Sequence, residues 1–121
     1  MVCAGESGGC RNNGVTYEVK CKKCDHLYIG ETGRNAYTRG LEHIEGMKNK
    51  NEESVLHKHN IENHEGNLTS TDFVMVVTGT FGGDATKRQI AEATKIRYAQ
   101  GPSLMNRKDE WRQFNLPHVD L

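Results

Sequence analysis

The chain has 121 residues, of which 35% are hydrophobic and 26% are charged, and its 16 basic and 16 acidic side chains cancel at neutral pH. This length predicts one domain with a modest core and excludes a second core of similar size. The zero net charge excludes a protein that is coated with basic residues. No apolar run approaches membrane-spanning length and no signal-peptide pattern opens the chain, so we expect no membrane partner.

The charges are unevenly distributed along the chain. Residues 20–50 carry seven basic side chains against four acidic ones. A locally basic surface of this kind is compatible with a polyanionic substrate.

The first residues differ in composition from the rest. Residues 1–13 are rich in glycine and cysteine and show no hydrophobic periodicity, so they are predicted to form an irregular arm. Residues 14–121 are predicted to form a single domain.

A β-hairpin is the first element predicted in that domain. Val15, Tyr17 and Val19 alternate with polar residues, which is the period of a half-buried strand. The apolar run Leu27–Ile29 predicts the second strand. The connector between them carries Cys21 and Cys24 at a spacing that supplies half of a zinc site.

The rest of the chain predicts three helices and one further strand. A turn at Gly30–Gly33 leads into the first helix, which begins near Arg34. The second helix runs from Ser54 to Gly66, the strand covers Asp72–Thr78, and the third helix covers Lys87–Gln100. The packing side of the third helix is formed by Ile90, Ala93, Ile96 and Ala99. The strand is apolar on both faces, so it is predicted to be central. The fold class is therefore α+β, with a small three-stranded antiparallel sheet flanked by helices.

Two imidazoles are needed to complete a tetrahedral zinc site on the cysteine pair. Three histidines, His57, His59 and His64, fall within eight residues of the second helix, and the sequence alone does not choose between His57 and His59. An all-thiolate site that adds Cys3 and Cys10 to Cys21 and Cys24 is a competing interpretation.

An ordered set of residues resembles the GIY-YIG endonuclease superfamily. The set is Tyr17, Tyr28-Ile29-Gly30, Arg39, His43, Glu92 and Asn106. The endonuclease domain of Penelope-like retroelements is a more specific match, which rests on Val15–Val19, Cys21-x2-Cys24 and Tyr28–Arg34. The resemblance covers residues 10 to 110. The first motif departs from the family pattern, since Val15-Thr16-Tyr17 stands in place of Gly-Ile-Tyr.

The resemblance implies a structural Zn²⁺ held by two cysteines and two histidines, and it selects His59 over His57. The implied ligands are Cys21, Cys24, His59 and His64. The implied substrate is DNA, for which Lys22, Lys23 and Arg34 are candidate contacts. In a retroelement the domain would be nuclear and would be fused to a reverse transcriptase or act with one.

The resemblance also implies catalytic roles. Tyr17 would be the general base, paired with Tyr28 across the hairpin. Arg39 and His43 would face the phosphate. Glu92 would hold a single Mg²⁺ or Mn²⁺, and Asn106 would brace the site. A phenol is a weak base at neutral pH unless a cation lowers its pKa, and Arg39 is the expected cation. Arg39 and His43 are four residues apart and share a helix face.

The implied activity is Mg²⁺-dependent phosphodiester hydrolysis that nicks one DNA strand and leaves a 3′ hydroxyl. That hydroxyl would prime reverse transcription of a retrotransposon at its target. Two alternatives stay open: a structure-directed repair or recombination nuclease of the same superfamily, and a non-catalytic, zinc-stabilised DNA-binding module.

Overall fold

The computed structural model describes residues 2–4, 11–99, 101 and 103–106. In chain order the elements are β1 (Val2–Ala4), β2 (Asn13–Cys21), β3 (Leu27–Asn35), α1 (Ala36–Lys48), α2 (Val55–His64), β4 (Phe73–Thr80) and α3 (Ala85–Tyr98). The fold is α+β, as the sequence predicts. None of the helices in the described ranges is both long and apolar enough to cross a membrane.

The four strands form one sheet in the order β1-β4-β2-β3. β2 pairs antiparallel with both β3 and β4, which confirms the predicted antiparallel set of three strands. β4 lies inside the sheet, as its apolar sequence indicates. The prediction of an irregular arm is wrong for Val2–Ala4, because β1 pairs in parallel with β4. Three residues are too few to show an alternating pattern.

The predicted turn at Gly30–Gly33 is also wrong, because β3 continues through it to Asn35. β2 pairs with three residues of this segment, and Thr16 lies opposite Glu31; after a register shift the pairing resumes between Asn13 and Asn35. α1 begins only after Asn35, whose side-chain oxygen accepts a 2.7 Å hydrogen bond from the Thr38 backbone N–H. Asparagine is a favourable N-cap, so the helix starts where this cap becomes available.

The main core lies between β2, β4 and the first two helices. Its buried members are Val15, Tyr17, Val19, Cys21, Ala36, Met47, Leu56, Leu68, Phe73 and Met75. The four from β2 alternate along the strand, as the hydrophobic period predicts. Ser54 caps α2 by accepting from the His57 backbone N–H at 3.3 Å, and Gly66 follows its end with φ +80°, in agreement with the predicted bounds.

α3 buries only one residue of the packing side predicted for it, Ile96. Its buried residues are Arg88, Glu92 and Ile96, spaced by four, whereas Ile90 and Ala93 are only half-buried. The hydrophobic pattern fails here because two ionisable residues occupy the inner face. Arg88 lies in the core region because its Nε donates a 2.5 Å hydrogen bond to Glu31 on β3.

The described C-terminal residues lie along the outer edge of β3. Leu27 donates its backbone N–H to Ser103 and accepts from Met105, at 2.9 Å and 2.7 Å. Asn106 then pairs with the Ile29 backbone through two 2.8 Å hydrogen bonds, donating from Nδ2 and accepting at Oδ1. These contacts satisfy part of an edge that would otherwise present free backbone groups.

Gly30 leaves room for the Tyr17 ring, which lies across it on the neighbouring strand. A Cβ at position 30 would lie 2.4 Å from Tyr17 Cζ and 2.5 Å from its hydroxyl oxygen. We therefore expect Gly30→Ala to lower the free energy of unfolding by about 1–3 kcal/mol through overpacking, measured by urea denaturation.

Gly83→Ala is the matched control for this substitution. A Cβ at Gly83 would meet nothing within 4 Å, so its effect should stay within about 0.5 kcal/mol. Equal urea midpoints for the two variants would contradict the steric account.

Candidate active site and metal centre

Four side chains from two distant parts of the chain meet at one end of the sheet. The ligand atoms of Cys21, Cys24, His59 and His64 all lie within 4.8 Å of one another. Cys24 Sγ lies 3.2 Å from His59 Nε2 and 3.3 Å from His64 Nε2, and Cys21 Sγ lies 3.7 Å from His64 Nε2. Ligands around a tetrahedral zinc ion are separated by about 3.6 Å.

Local structure holds the two cysteines of this cluster in a tight turn. The Cys21 backbone N–H donates to His26 at 2.9 Å, and the Asp25 N–H donates back to Cys21 at 3.1 Å. Asp25 has φ 60°, a left-handed conformation that aspartate tolerates better than most residues. The turn is tied to the residue before β4, since Lys22 donates its N–H to Asp72 at 2.7 Å.

The histidines come from the middle and the end of α2. Asn60 fixes this end of the helix, because its side chain accepts from the Leu68 backbone N–H at 2.9 Å. Burial lowers the pKa of His59 to about 4, with smaller contributions from His26 and His64. The imidazole is therefore neutral at physiological pH, which is the form that binds metal.

The chemistry of this donor set fits a structural zinc ion. Burial raises the pKa of Cys21, so its thiolate needs a nearby positive charge, which a divalent cation would supply. Two thiolates and two imidazoles complete a tetrahedral site without leaving an open position. The cluster can therefore hold a metal ion such as zinc.

The cluster contains His59 and not His57, which lines a separate cavity on α2. The choice that the sequence left open is thus made by the helix orientation. Neither the side chain of Cys3 nor any part of Cys10 lies within the described residues, so the all-thiolate alternative falls outside them.

The two tyrosines meet on the inner face of the hairpin. Tyr17 lies opposite Gly30, and Tyr28 lies opposite Val19, so the tyrosines are diagonal neighbours with ring centroids 6.4 Å apart. The hydroxyl of Tyr17 lies 2.9 Å from Nε2 of His43 on α1. Tyr28 packs against the same imidazole, with the centroids 5.6 Å apart.

Burial controls the protonation of the Tyr17–His43 pair. Burial raises the pKa of Tyr17 to about 12, although the Arg39 guanidinium acts to lower it. Burial also lowers the pKa of His43 to about 3, with a further contribution from Arg39. At neutral pH the phenol therefore carries its proton and the imidazole is neutral, and a 2.9 Å hydrogen bond joins the two. Arg39 acts in the predicted direction, but desolvation outweighs it.

Arg39 lies between the buried pair and the surface. Its side chain is 33% exposed and contacts Glu42, one helical turn along α1, at 3.6 Å. Glu42 also pairs with Arg34 at 2.5 Å. The guanidinium of Arg39 is thus held near the phenol while part of its surface still faces solvent.

Glu92 is buried on α3, with 5% of its surface exposed. The charges of Glu92 and Glu31 raise the pKa of the Tyr17 phenol, by less than burial does. Asn106 is also buried, and its side chain forms the two hydrogen bonds to Ile29 described above. Asn106 therefore braces the strand between Tyr28 and Gly30.

A cavity of about 890 Å³ extends from the side chains around the Tyr17–His43 pair to the cysteine and histidine cluster. Tyr28, Arg39 and His43 contribute to its wall, together with His59 of the cysteine and histidine cluster and with Lys58 of α2. Tyr17 has no exposed surface, so it lies behind this wall. The cavity gives a substrate access to Arg39 and His43 from the side of α2.

The three predicted DNA contacts are all exposed. Lys22 and Lys23 lie in the cysteine turn beside the metal cluster. Arg34 lies at the end of β3, where its guanidinium is already paired with Glu42. A phosphate at Arg34 would therefore compete with a carboxylate.

Two residues near this site were missed by the sequence analysis, namely Glu31 and Arg88. They form a salt bridge whose side chains are only 19% and 10% exposed. The available signal was the spacing of Arg88 and Glu92, which are four residues apart and so share a helix face. Hydrophobic periodicity ignores charged residues, and it therefore placed Ile90, Ala93, Ile96 and Ala99 on the packing side without Arg88.

Zinc binding can be tested with two histidine variants of α2. His59→Asn should lose the bound zinc, whereas the control His57→Asn should retain one equivalent, measured by elemental analysis after dialysis. If free zinc is at about 100 times its Kd, losing the site should lower the stability by about 2.7 kcal/mol. A full equivalent of zinc in His59→Asn would contradict the assignment.

The neutral His43 predicts a dependence of stability on pH. The folded pKa of His43, about 3, lies below its ordinary value of 6.5, so below pH 6.5 the unfolded chain binds the extra proton and stability falls. One proton corresponds to about 1.4 kcal/mol per pH unit. Between pH 6 and pH 5, His43→Gln should lose stability less steeply than the unaltered chain by about this amount, measured by urea denaturation with zinc present.

The remaining histidines are common to both proteins, so their contributions cancel in this difference. Parallel stability curves would contradict the burial of a neutral imidazole at position 43.

Comparison with known proteins yields no match. No protein-family model, no curated protein and no solved structure matches the chain. Any function must therefore be inferred from the side chains of the cysteine and histidine cluster and from those around the Tyr17–His43 pair.

Proposed function

We propose that this chain is a metal-dependent DNA endonuclease that nicks one strand and leaves a 3′ hydroxyl. The observation that carries the proposal is the buried hydrogen bond of 2.9 Å between Tyr17 and His43, with the Arg39 guanidinium beside it. A phenol bonded to a neutral imidazole is a route for removing a proton, and the adjacent guanidinium is suited to a phosphate.

The proton route runs through both side chains. Tyr17 has too high a pKa to exist as a phenolate at neutral pH. It accepts a proton from water only as it passes its own proton to Nε2 of His43. The water oxygen then bonds to phosphorus, the bond from phosphorus to the 3′ oxygen breaks, and that oxygen takes a proton from solvent. The pKa of His43 is about 3 in the resting site, so the anionic phosphate must raise it before His43 can hold the transferred proton until the product leaves.

Arg39 provides charge stabilisation for this reaction. Hydrolysis concentrates negative charge on the nonbridging phosphate oxygens, and a guanidinium meets two such oxygens with parallel hydrogen bonds. The partly exposed position of Arg39 in the cavity wall allows this contact. Glu42 keeps the side chain oriented until a phosphate replaces it.

Glu92 is the residue that would hold the divalent ion. Mg²⁺ binds through one or two carboxylates and keeps several waters, so a single buried glutamate near Tyr17 fits it. Within the described ranges no group of three or more ligands other than the zinc cluster is found, which agrees with an ion held largely by water. When bound, the ion would supply positive charge for the departing 3′ oxygen.

DNA would approach through the cavity between the two clusters. The zinc cluster fixes α2, and α2 supplies Lys58 to the cavity wall. The exposed Lys22 and Lys23 extend a basic surface beyond the cluster. Because Tyr17 has no exposed surface, binding of the strand must open a path from the cavity to its hydroxyl.

The biological role follows the resemblance to Penelope-like retroelements. A 3′ hydroxyl at a nick is a primer for a reverse transcriptase, and a nuclear location would bring the domain to chromosomal DNA. This part of the proposal is supported by the sequence motifs around Cys21, Tyr28 and Gly33 and by the zinc-compatible cluster.

A second candidate is a zinc-stabilised DNA-binding module without catalysis. The complete burial of Tyr17 favours it, because a phenol that never meets water cannot act as a base. The two candidates differ in whether bound DNA is cut.

The nuclease can be tested on supercoiled plasmid with Mg²⁺ and zinc-loaded protein. Tyr17→Phe and Glu92→Gln should each slow nicking by at least about 100-fold, since each removes a group used in the transition state. The matched controls are Tyr37→Phe and Glu45→Gln on the exposed side of α1, which should nick at the unaltered rate. The nicked ends should be extendable by a polymerase.

Nicking by Glu92→Gln at the unaltered rate would contradict the role of this carboxylate. Tight DNA binding in Mg²⁺ with no cleavage by the unaltered chain would favour the binding module.

A further inference from the structure

Asn63 of α2 contacts the His59 imidazole at the ring nitrogen that does not face the cysteines. Its Nδ2 lies 3.2 Å from Nδ1 of His59 and 3.4 Å from the His59 backbone oxygen. The two residues are four positions apart and so share a helix face. The other ring nitrogen, Nε2, lies 3.2 Å from Cys24 Sγ. None of the roles assigned above uses Asn63.

Neighbouring rings confine the His59 imidazole. Its centroid lies 5.0 Å from that of His64, 5.1 Å from that of His26 and 6.2 Å from that of Phe73. These contacts limit how far the ring can tilt. They do not determine which ring nitrogen carries the proton, because that choice is set by the hydrogen bond made at the other nitrogen.

Metal binding fixes the position of this proton. A neutral imidazole carries one proton, and a metal ion binds the nitrogen that lacks it. If an ion binds Nε2 of His59, the proton is on Nδ1, which then donates a hydrogen bond and needs an acceptor. Histidine ligands almost always have such an acceptor, and it fixes the orientation of the ring. Asn63 is the side chain that the structure places at hydrogen-bonding distance from Nδ1.

The side-chain amide of Asn63 can serve either form of the ring. Its NH₂ group donates to an unprotonated Nδ1, and its oxygen accepts from a protonated Nδ1. The two arrangements differ by half a turn of the amide group about its bond to Cβ. The rotation from the first to the second gives up the long contact of 3.4 Å with the backbone oxygen.

We propose that Asn63 is a positioning residue of the metal centre, whose amide oxygen accepts the Nδ1 proton of His59 and so directs Nε2 toward the ion. This inference concerns the cysteine and histidine cluster and does not rest on the proposed nuclease. It predicts that the zinc affinity depends on a hydrogen-bond acceptor at position 63.

The test uses zinc as the probe and the full chain, with the affinity measured by competition against a chromophoric chelator. Asn63→Leu has a similar size but no acceptor, and it should weaken zinc binding by about tenfold. Asn63→Asp retains an acceptor of the same shape, so its affinity should fall by less than about threefold or should rise. Asn67, which is exposed and follows α2, provides the matched controls. Asn67→Leu and Asn67→Asp make the same changes in size and charge and should leave the affinity unchanged.

Nuclear magnetic resonance provides a second readout that a change in helix stability would not imitate. Long-range proton–nitrogen spectra of the zinc-loaded, ¹⁵N-labelled chain report which nitrogen of His59 is protonated. The Nδ1 proton should be present in the unaltered chain and in Asn63→Asp, because a hydrogen bond slows its exchange with water. In Asn63→Leu the same proton should exchange faster.

Unaltered zinc affinity in Asn63→Leu would overturn the inference, as would equal exchange rates of the Nδ1 proton in Asn63→Leu and the unaltered chain. An Asn63→Asp variant that binds zinc as weakly as Asn63→Leu would also overturn it, since an acceptor alone would then not suffice. So would an unaltered chain that binds no zinc. If Asn63→Leu does not fold, Asn63→Asp decides, because retention of both the affinity and the Nδ1 proton supports the inference and loss of either refutes it.

The outcome is independent of the nicking assay. The expected affinities without any nicking would support the role of Asn63 and refute the nuclease. Nicking by the unaltered chain, together with equal zinc affinities in all variants, would retain the proposed function and refute the role of Asn63.

Discussion

The candidate active site depends on how one phenol is buried. Tyr17 lies at the centre of the sheet with no exposed surface, and it needs both space for its ring and an acceptor for its hydroxyl. Gly30 provides the space on β3, and His43 provides the hydrogen-bond partner from α1. A buried hydroxyl without a partner would cost roughly 1–3 kcal/mol. The strand pairing and the placement of α1 are therefore constrained by the same side chain.

Electrostatics around this phenol are set by two opposing effects. Desolvation favours the neutral forms of Tyr17 and His43, while Arg39 favours the phenolate. Desolvation dominates, so the resting site is a neutral hydrogen bond beside a guanidinium. A site of this kind has its reactive groups in place but requires a change in solvation, such as the arrival of a phosphate, before a proton moves.

The sequence predicts the parts of the fold that follow local rules. The hairpin, the Ser54 cap and the interior position of β4 follow from alternation, capping chemistry and apolar content. The same rules fail where contacts between parts of the chain that are distant in sequence determine the local structure. β1 is a strand only because β4 lies beside it, and β3 passes through Gly30 and Gly33 only because β2 pairs with it. Arg88 was missed on the buried face of α3 because its charge is compensated by Glu31, 57 residues earlier in the chain. The metal cluster could be predicted as a set of residue types, and the resemblance selected His59. The spacing of the histidines alone does not choose between His59 and His57, because that choice depends on the orientation of α2.

The cysteine and histidine cluster joins two segments that are far apart in sequence, since Cys24 and His59 are separated by 35 positions. A metal ion bound there would act as a cross-link on the denatured chain. By the loop-closure estimate used for disulfides, a loop of this length removes about 4 kcal/mol of conformational freedom. For a small domain this is a substantial share of the total stability. The availability of the metal would then set how long the folded protein persists in a cell.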